Sequence, residues 1–208
     1  MPGPEHHFLI NAYGLMFDEI TASSLVKLTL DGEIVEDQTG YGINEAGYVI
    51  HSAVHRARAD VACVMHTHTQ AGLAVAAQKQ GLLPLTQHSM RFTGRIAYHA
   101  YDGVFFSDSE RRRLIGSLGS KLVMLLHNHG SLVCGRSTVE AFDIMYYLER
   151  ACQAQVAMLS MGEALVQPAD GAAEQVAGVF EAPDRKANTL IWPALLRMLD
   201  RIDPGYKN

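Results

Sequence analysis

Two pairs of histidines stand at the ends of short apolar segments. His66 and His68 end VACVMHTH, and His127 and His129 end KLVMLLHNH. Residues i and i+2 of an extended chain point to the same side, so each pair can present two imidazoles to one point. A catalytic zinc ion takes three protein ligands and keeps a fourth position for water or substrate. The pattern predicts a metal site, although histidine also serves as a hydrogen-bonded core residue, and spacing alone leaves both interpretations open.

The segments around these histidines predict alternating strands and helices. VACVMH and KLVMLL are apolar runs that are typical of buried strands, and LLPLTQ is a further strand candidate. TQAGLAVAAQKQG predicts an alanine-rich helix closed by a glycine, and EAGYVIHSAVHRARAD has apolar residues at helical spacing. Ligands commonly bind at the carboxyl ends of strands in such folds, which is where both histidine pairs lie.

The rest of the chain continues this pattern. Asp31–Gly32 lies between alternating apolar residues and predicts a hairpin. The capping box Ser137–Glu140 opens the longest predicted helix, and LIWPALLRMLDRID predicts an amphipathic C-terminal helix. PADGAAEQVAGVFEAPD is polar and loosely patterned. Because no repeat or linker interrupts the alternation, we expect a single domain of the α/β class over residues 1–208.

The composition narrows the functional classes. With 208 residues, 48% of them hydrophobic, the chain can bury a substantial core. A formal net charge of -5 and the lack of a basic stripe predict no nucleic-acid partner, and no apolar run of about 18 residues predicts a membrane span. Cys63, Cys134 and Cys152 are odd in number and widely spaced, so we expect no disulfides. The absence of a secretory-signal pattern at the start then favours a cytoplasmic location.

Two motifs in order carry a family resemblance. HTHTQAGLAVAAQKQGLLPL, followed about forty residues later by VMLLHNHGSLVCGRSTVEAF, resembles the class II aldolase/adducin family, and the likeness runs from about Phe8 to about Met161. The resemblance implies a three-histidine metal site formed by His66, His68 and His129, without His127. It also implies a three-layer fold in which helices flank a central, mainly antiparallel sheet.

The resemblance implies an activity as well. We expect a divalent-metal-dependent lyase that cleaves a carbon–carbon bond of a hydroxylated carbonyl compound through a metal-stabilised enediolate, with Zn²⁺ best suited to three imidazoles. A metal-dependent decarboxylase is an alternative. GINEAGYVIHSAVHRARADVACVM is closer to the adducin head, a branch that generally lacks the metal histidines, so a non-catalytic scaffold module is another alternative. The family further implies a homo-oligomer, with a tetramer favoured.

The chain departs from the family pattern beside the expected metal. Gly47 stands where family aldolases carry an acid/base glutamate, and Glu45 is the nearest carboxylate. Glu45 is therefore our candidate catalytic residue, with an exposed helix-start residue as the alternative. His88 takes the place of a family tyrosine, and Asn11–Gly14 replaces a phosphate-binding turn, so a simple sugar phosphate is not the expected substrate. Met1 lies almost at the first strand, so the chain looks short at its N terminus.

Overall fold

The chain forms two compact units in the computed structural model, which describes residues 6–103, 107–181 and 191–208. Among these, the first unit contains residues 6–60, 107–112 and 191–208, and the second contains residues 61–103 and 113–181. The boundary falls inside one helix, α4 (Asp108–Leu118). The expectation of a single domain stays a prediction.

The first unit is built on a three-stranded antiparallel sheet. Its strands, in the order in which they pair, are β1 (His7–Asn11), β2 (Leu25–Thr29) and β3 (Ile34–Glu36). Gly32, at φ +94°, turns the chain between β2 and β3, which confirms the predicted hairpin. Alternate residues of β1 and β2 are buried, and Phe8 packs with Leu28 in the core of this unit. The period of two in the sequence therefore becomes one apolar face of the sheet.

Two helices accompany this sheet in the first unit. They are α1 (Glu45–Ala57) and α7 (Ile191–Ile202). Asn44 caps α1 because its side-chain oxygen accepts hydrogen bonds from the backbone N–H groups of Ala46 and Gly47. Beyond α7, the Tyr206 carbonyl accepts a hydrogen bond from the Ala22 N–H. This bond ties the end of the chain to the segment before β2.

The second unit contains a four-stranded mixed sheet. Its strands, in the order in which they pair, are β4 (Cys63–Thr67), β7 (Gly130–Gly135), β6 (Val123–Leu126) and β5 (Ile96–His99). β7 is antiparallel to both of its neighbours, whereas β5 and β6 are parallel. Every residue of β6 and β7 is buried, as expected for the two central strands.

Helices of the second unit pack on this sheet and on one another. Besides part of α4, they are α2 (Gln70–Ala76), α3 (Gln87–Met90), α5 (Thr138–Ser160) and α6 (Ala172–Glu181). α5 contacts β4, β7, α2 and α3, so it is the main support behind the strands. Ser137 caps α5 by accepting the Glu140 N–H, while the Glu140 carboxylate accepts the Arg136 N–H. Of the two hydrogen bonds of the predicted capping box, the one accepted by Ser137 is formed, whereas Glu140 bonds to the residue before Ser137.

The α/β class and the mainly antiparallel pairing are confirmed, but several segments differ from the sequence prediction. LLPLTQ is not a strand, because the Leu82 N–H donates to the Tyr98 hydroxyl and the Leu83 N–H to the Gln155 side chain. β7, α3 and α6 were not predicted as elements. No helix within the described residues is both long and apolar enough to cross a lipid bilayer.

Candidate metal centre

Three imidazoles converge in the second unit. His66, His68 and His129 each offer one ligand atom, and these atoms lie within 4.8 Å of one another. The ring centroids are 4.7 Å apart for His66 and His68, 4.7 Å for His66 and His129, and 4.8 Å for His68 and His129. Within the described part of the chain, these are the residues that group in this way. They are also the three that the motifs predict.

Pairing between β4 and β7 brings the two motifs together. His66 lies opposite Leu132 in this ladder, and Thr67 lies opposite Ser131. β7 begins directly after the turn that carries His129. The ladder therefore sets that turn beside the end of β4, so residues about sixty positions apart in sequence form one cluster.

The turn between β6 and β7 requires a glycine. Gly130 has φ +154°, a value that is unfavourable for a residue with a side chain, and Asn128, two residues earlier, has φ +56°. A Cβ atom at Gly130 would lie 2.5 Å from the Thr67 carbonyl oxygen and 2.9 Å from Cδ2 of His68. Gly130 thus permits the close approach of the His129 turn to the β4 end.

His127 does not join the cluster. Its Nδ1 lies 2.9 Å from the Ala76 carbonyl oxygen, and its ring stacks on Tyr98 at a centroid distance of 5.7 Å. The idea that His127 and His129 face the same point fails because the chain turns between them instead of staying extended. The family resemblance, which excludes His127, agrees with the geometry.

A backbone carbonyl fixes the orientation of His66. Its Nδ1 lies 3.0 Å from the Ser131 carbonyl oxygen, and because a carbonyl can only accept, Nδ1 carries the proton. Nε2 of His66 therefore has a lone pair available for a metal, as expected of a metal-binding histidine. Nε2 of His68 lies 2.8 Å from Nε2 of His66, whereas ligand nitrogens around a tetrahedral zinc ion lie about 3.3 Å apart. A small outward movement of one ring would accommodate the ion.

His129 is held in an environment that keeps it neutral. Burial, together with the neighbouring His68 and His99, lowers the pKa of the His129 imidazole to about 4. The ring of Tyr101 stacks on it at 5.3 Å with an angle of 26°. A neutral imidazole is the form that binds a metal. The chemistry of all three side chains therefore fits a divalent ion that accepts nitrogen ligands.

The catalytic candidate Glu45 lies in the first unit. It is the first residue of α1 and is exposed to solvent, and its role as acid/base stays a prediction. Gly47 lies in the first turn of the same helix, where a Cβ would meet only the Asn44 side chain, at 3.8 Å. Nothing in the packing of α1 at this position thus requires glycine.

His88, the second candidate for proton transfer, lies on α3 of the second unit. Its ring packs against Tyr147 of α5 at a centroid distance of 5.0 Å. It is only partly exposed. The contact with Tyr147 gives His88 a packing role, and its proposed function as a proton donor stays a prediction.

The sequence interpretation missed the residues that support the histidines. Ser131 acts through its backbone carbonyl, which leaves no signal in the side-chain pattern. Tyr101 lies two residues beyond β5, and the local sequence pattern does not indicate its contact with His129. Thr69, by contrast, belongs to the alternation HTHT, in which histidines and threonines must face opposite sides of an extended chain. That alternation was a usable signal for a supporting face behind the metal-facing one.

Comparisons with known proteins agree with this fold. A family model described as the class II aldolase and adducin N-terminal domain matches residues 2–156. The crystal structure of an aldolase II superfamily protein from Pseudomonas syringae is similar with a TM-score of 0.94 and 52% identity, covering 100% of this chain and 83% of that one.

Two further relatives differ in what they are named for. An L-fuculose 1-phosphate aldolase from Glaciozyma antarctica PI12 has a TM-score of 0.78 and 26% identity, with coverage of 98% of this chain and 78% of that chain. Alpha-adducin of Rattus norvegicus is 38% identical over 217 residues, which span 98% of this chain and 29% of that protein. The chain is therefore similar both to a protein that is named as an enzyme and to a protein whose name gives no enzymatic activity.

Proposed function

The chain belongs to the class II aldolase and adducin family, as its histidine motifs predict, and from this premise we propose that it is a divalent-metal-dependent carbon–carbon lyase. The observation that carries the proposal is the convergence of His66, His68 and His129 within 4.8 Å. An adducin-like scaffold has no need of three converging imidazoles. An enzyme that stabilises negative charge on a substrate does.

The proposed metal ligands leave room for a substrate. His66, His68 and His129 would hold the ion, and Zn²⁺ is the ion best suited to three nitrogen ligands. When bound, a divalent ion supplies positive charge beside the oxygens of an enediolate that forms as a carbon–carbon bond breaks. The Ser131 carbonyl keeps His66 in the tautomer that can bind it. Partial exposure of the cluster, with His68 the most exposed member, gives a small molecule access.

Proton transfer is proposed for Glu45, at the N-terminal end of α1. A carboxylate there is exposed and can exchange protons with solvent, as a general acid or base must. His88 is the second proposal for this role. Glu45 would replace the glutamate that the family resemblance places at Gly47, and His88 stands where the family carries a tyrosine.

The proposed substrate is a small hydroxylated carbonyl compound that is not a simple sugar phosphate. Glu45 would bring a negative charge to the region where family aldolases bind phosphate, and like charges repel. The fuculose-phosphate aldolase is only 26% identical, which leaves room for a different substrate in the same fold. A decarboxylase remains the alternative within the same chemistry, because loss of CO₂ also leaves an enolate for the ion to stabilise.

A scaffold module is the alternative from another class. The 38% identity with alpha-adducin over nearly the whole chain favours it. The two functions differ in whether metal-dependent turnover exists, and the histidine cluster makes the enzyme the better-supported proposal.

We further propose a cytoplasmic homo-oligomer, with a tetramer expected from the family. Within the described residues no disulfide joins Cys63, Cys134 or Cys152, which suits a reducing compartment. Size-exclusion chromatography with light scattering would measure the mass of the assembly directly. A monomeric mass at micromolar concentration would contradict the oligomer.

The central experiment combines metal analysis with turnover. Protein purified under mild conditions should contain roughly one divalent ion per chain, measured by elemental analysis. Retro-aldol or decarboxylase activity on a panel of hydroxylated carbonyl compounds should disappear on chelation and return when Zn²⁺ or another divalent ion is added. Metal-free protein that cannot be loaded would remove the metal centre, and activity that survives chelation would contradict a metal-dependent reaction.

A further inference from the structure

The segment that carries His66 and His68 is held from its back by α5. Thr67 lies within β4, and Thr69 is extended at φ -65° and ψ 151°, so histidines and threonines alternate between two sides. The imidazoles face the metal centre. The Thr67 hydroxyl instead lies 3.6 Å from Sδ of Met145, which is on α5.

The second threonine makes the stronger contact. The Thr69 hydroxyl donates to Oε2 of Glu149 across a distance of 2.5 Å. Glu149 follows Met145 by one turn of α5, so the two side chains share one face of that helix. The same Thr69 oxygen accepts the Gly72 N–H at 3.2 Å and caps α2. Thr69 therefore joins the histidine segment to α5 and to the start of α2.

The surroundings of this contact are tight. A Cβ atom at Gly72 would lie 2.7 Å from the Thr69 hydroxyl oxygen, 2.9 Å from the Ser131 hydroxyl oxygen and 3.7 Å from Oε2 of Glu149. Ser131 is the residue whose carbonyl orients His66. Ser131, which orients His66, and Thr69, which follows His68, therefore both lie against Gly72. A displacement of Glu149 would change the positions of both histidines.

Glu149 brings an unbalanced negative charge to this place. Its other oxygen accepts a hydrogen bond from the Gln153 amide at 2.9 Å, and both of its partners are neutral. Among the described residues no arginine, lysine or histidine forms an ion pair with it. A divalent cation held by the three imidazoles would supply the positive charge that these two partners lack.

We propose that Glu149 is a positioning residue of the metal centre, acting through the Thr69 hydroxyl on the segment that presents His66 and His68. The inference rests on the proposed metal centre. The carboxylate fixes the backbone on the far side of His68, and its negative charge favours a divalent cation among the three imidazoles. Glu149 does not touch the ion or the substrate.

Variants of Glu149 separate the two contributions. Glu149→Ala removes both the anchor and the charge, while Glu149→Gln keeps an oxygen that can accept from Thr69 and removes only the charge. Gln153→Ala is the matched control, because it deletes the other partner of the same carboxylate and leaves Thr69 in place. Thr69→Ser is a second control that keeps the hydroxyl.

The readouts are the affinity of the metal-free protein for Co²⁺, the visible absorption of the bound Co²⁺, and the melting temperature without metal. We expect Glu149→Ala to lower the affinity by about ten- to a hundredfold and to change the Co²⁺ spectrum, with a smaller loss for Glu149→Gln. Both controls should stay within about threefold of the parent. A purely structural role would lower the metal-free melting temperature and leave the affinity of the folded protein unchanged.

The outcomes distinguish this inference from the proposed function. If the parent binds Co²⁺ and Glu149→Ala binds it equally well with the same spectrum, the role of Glu149 is overturned while the metal centre stands. If the parent binds no ion, the metal centre and the role of Glu149 are both overturned. If Glu149→Ala weakens binding but no lyase activity is found with any ion, Glu149 keeps its role and the proposed reaction is wrong.

Discussion

His66 and His127 show how one hydrogen bond decides what a histidine can do. Each directs Nδ1 at a backbone carbonyl oxygen, that of Ser131 for His66 and that of Ala76 for His127. The first bond aims Nε2 at two other imidazoles, whereas the second lays the ring against Tyr98. At the residue scale, therefore, the carbonyl that accepts the Nδ1 proton separates a proposed ligand from a packing residue.

These two histidines make a matched pair of substitutions. His66→Ala removes one of three proposed ligands and should lower metal affinity more than about a hundredfold, beyond the usual effect of a supporting residue. His127→Ala should leave the affinity within a few-fold of the parent, because its ring lies outside the cluster. Titration of metal-free protein with Zn²⁺ against a competing chelator measures both. Equal losses from the two substitutions would contradict the assignment of ligands.

Gly130 offers a second prediction at this scale. Gly130→Ala places a Cβ 2.5 Å from the Thr67 carbonyl oxygen at φ +154°, so it should lower the free energy of unfolding by about 1–3 kcal/mol and weaken metal binding as the turn moves. Gly178→Ala is the control, because Gly178 lies in α6 with open space around it. This substitution should raise the free energy of unfolding by about 0.5–1 kcal/mol. Urea unfolding measures both changes. A neutral Gly130→Ala would show that the turn has room to relax.

At the scale of elements, the buried apolar strands and the long helices could be predicted because their period is written in the sequence. β4 and α5 follow from apolar spacing and a capping serine. LLPLTQ has the same apolar character, yet its backbone donors bond to side chains that lie far along the chain. Contacts of that kind produce no periodic pattern in the local sequence. The sequence therefore cannot show that they keep this segment from forming a strand.

Gln155 is the residue that replaces strand pairing in that loop. It is buried, accepts the Leu83 N–H at 2.7 Å and donates to the Gly81 carbonyl at 2.9 Å. Gln155→Leu keeps the bulk but leaves both groups without their partner, so we expect a loss of about 1–3 kcal/mol for each group left unsatisfied. Gln153→Leu, two residues earlier and exposed, should cost less than about 1 kcal/mol. Chemical unfolding of both variants tests the difference. Equal losses of unfolding free energy would contradict the role of the Gln155 hydrogen bonds.

At the scale of the whole molecule, the histidine cluster could be predicted in full from two motifs, while its supports could not. Residue type and spacing alone left His127 as a candidate ligand, and the family resemblance of the two motifs excluded it. The contacts of Ser131 and Glu149 depend on how β7 and α5 pack. The same separation applies to function. Family membership follows from the chain as a whole, and the choice between lyase and scaffold depends on the few groups beside the cluster.

Stability of the whole chain should depend on pH through His51 of α1. Burial, together with the neighbouring His55, lowers the pKa of this imidazole to about 4, whereas an unfolded histidine titrates near 6.5. Between these values the unfolded state binds a proton that the folded state excludes. The contribution is therefore complete above about pH 6.5 and is lost as the pH falls toward 4, by up to about 3 kcal/mol.

The measurement is the free energy of unfolding of chelator-treated protein at pH 7.5 and at pH 5, compared with His51→Gln. The comparison is needed because His129 also has a pKa of about 4 without metal and contributes the same trend in both proteins. His51→Gln should show the smaller decrease, since an amide binds no proton in this range. Its absolute stability at pH 7.5 is a separate matter of packing, so only the difference between the two pH values tests the idea. Equal decreases in the two proteins would mean that His51 is protonated in the folded chain as readily as in the unfolded one.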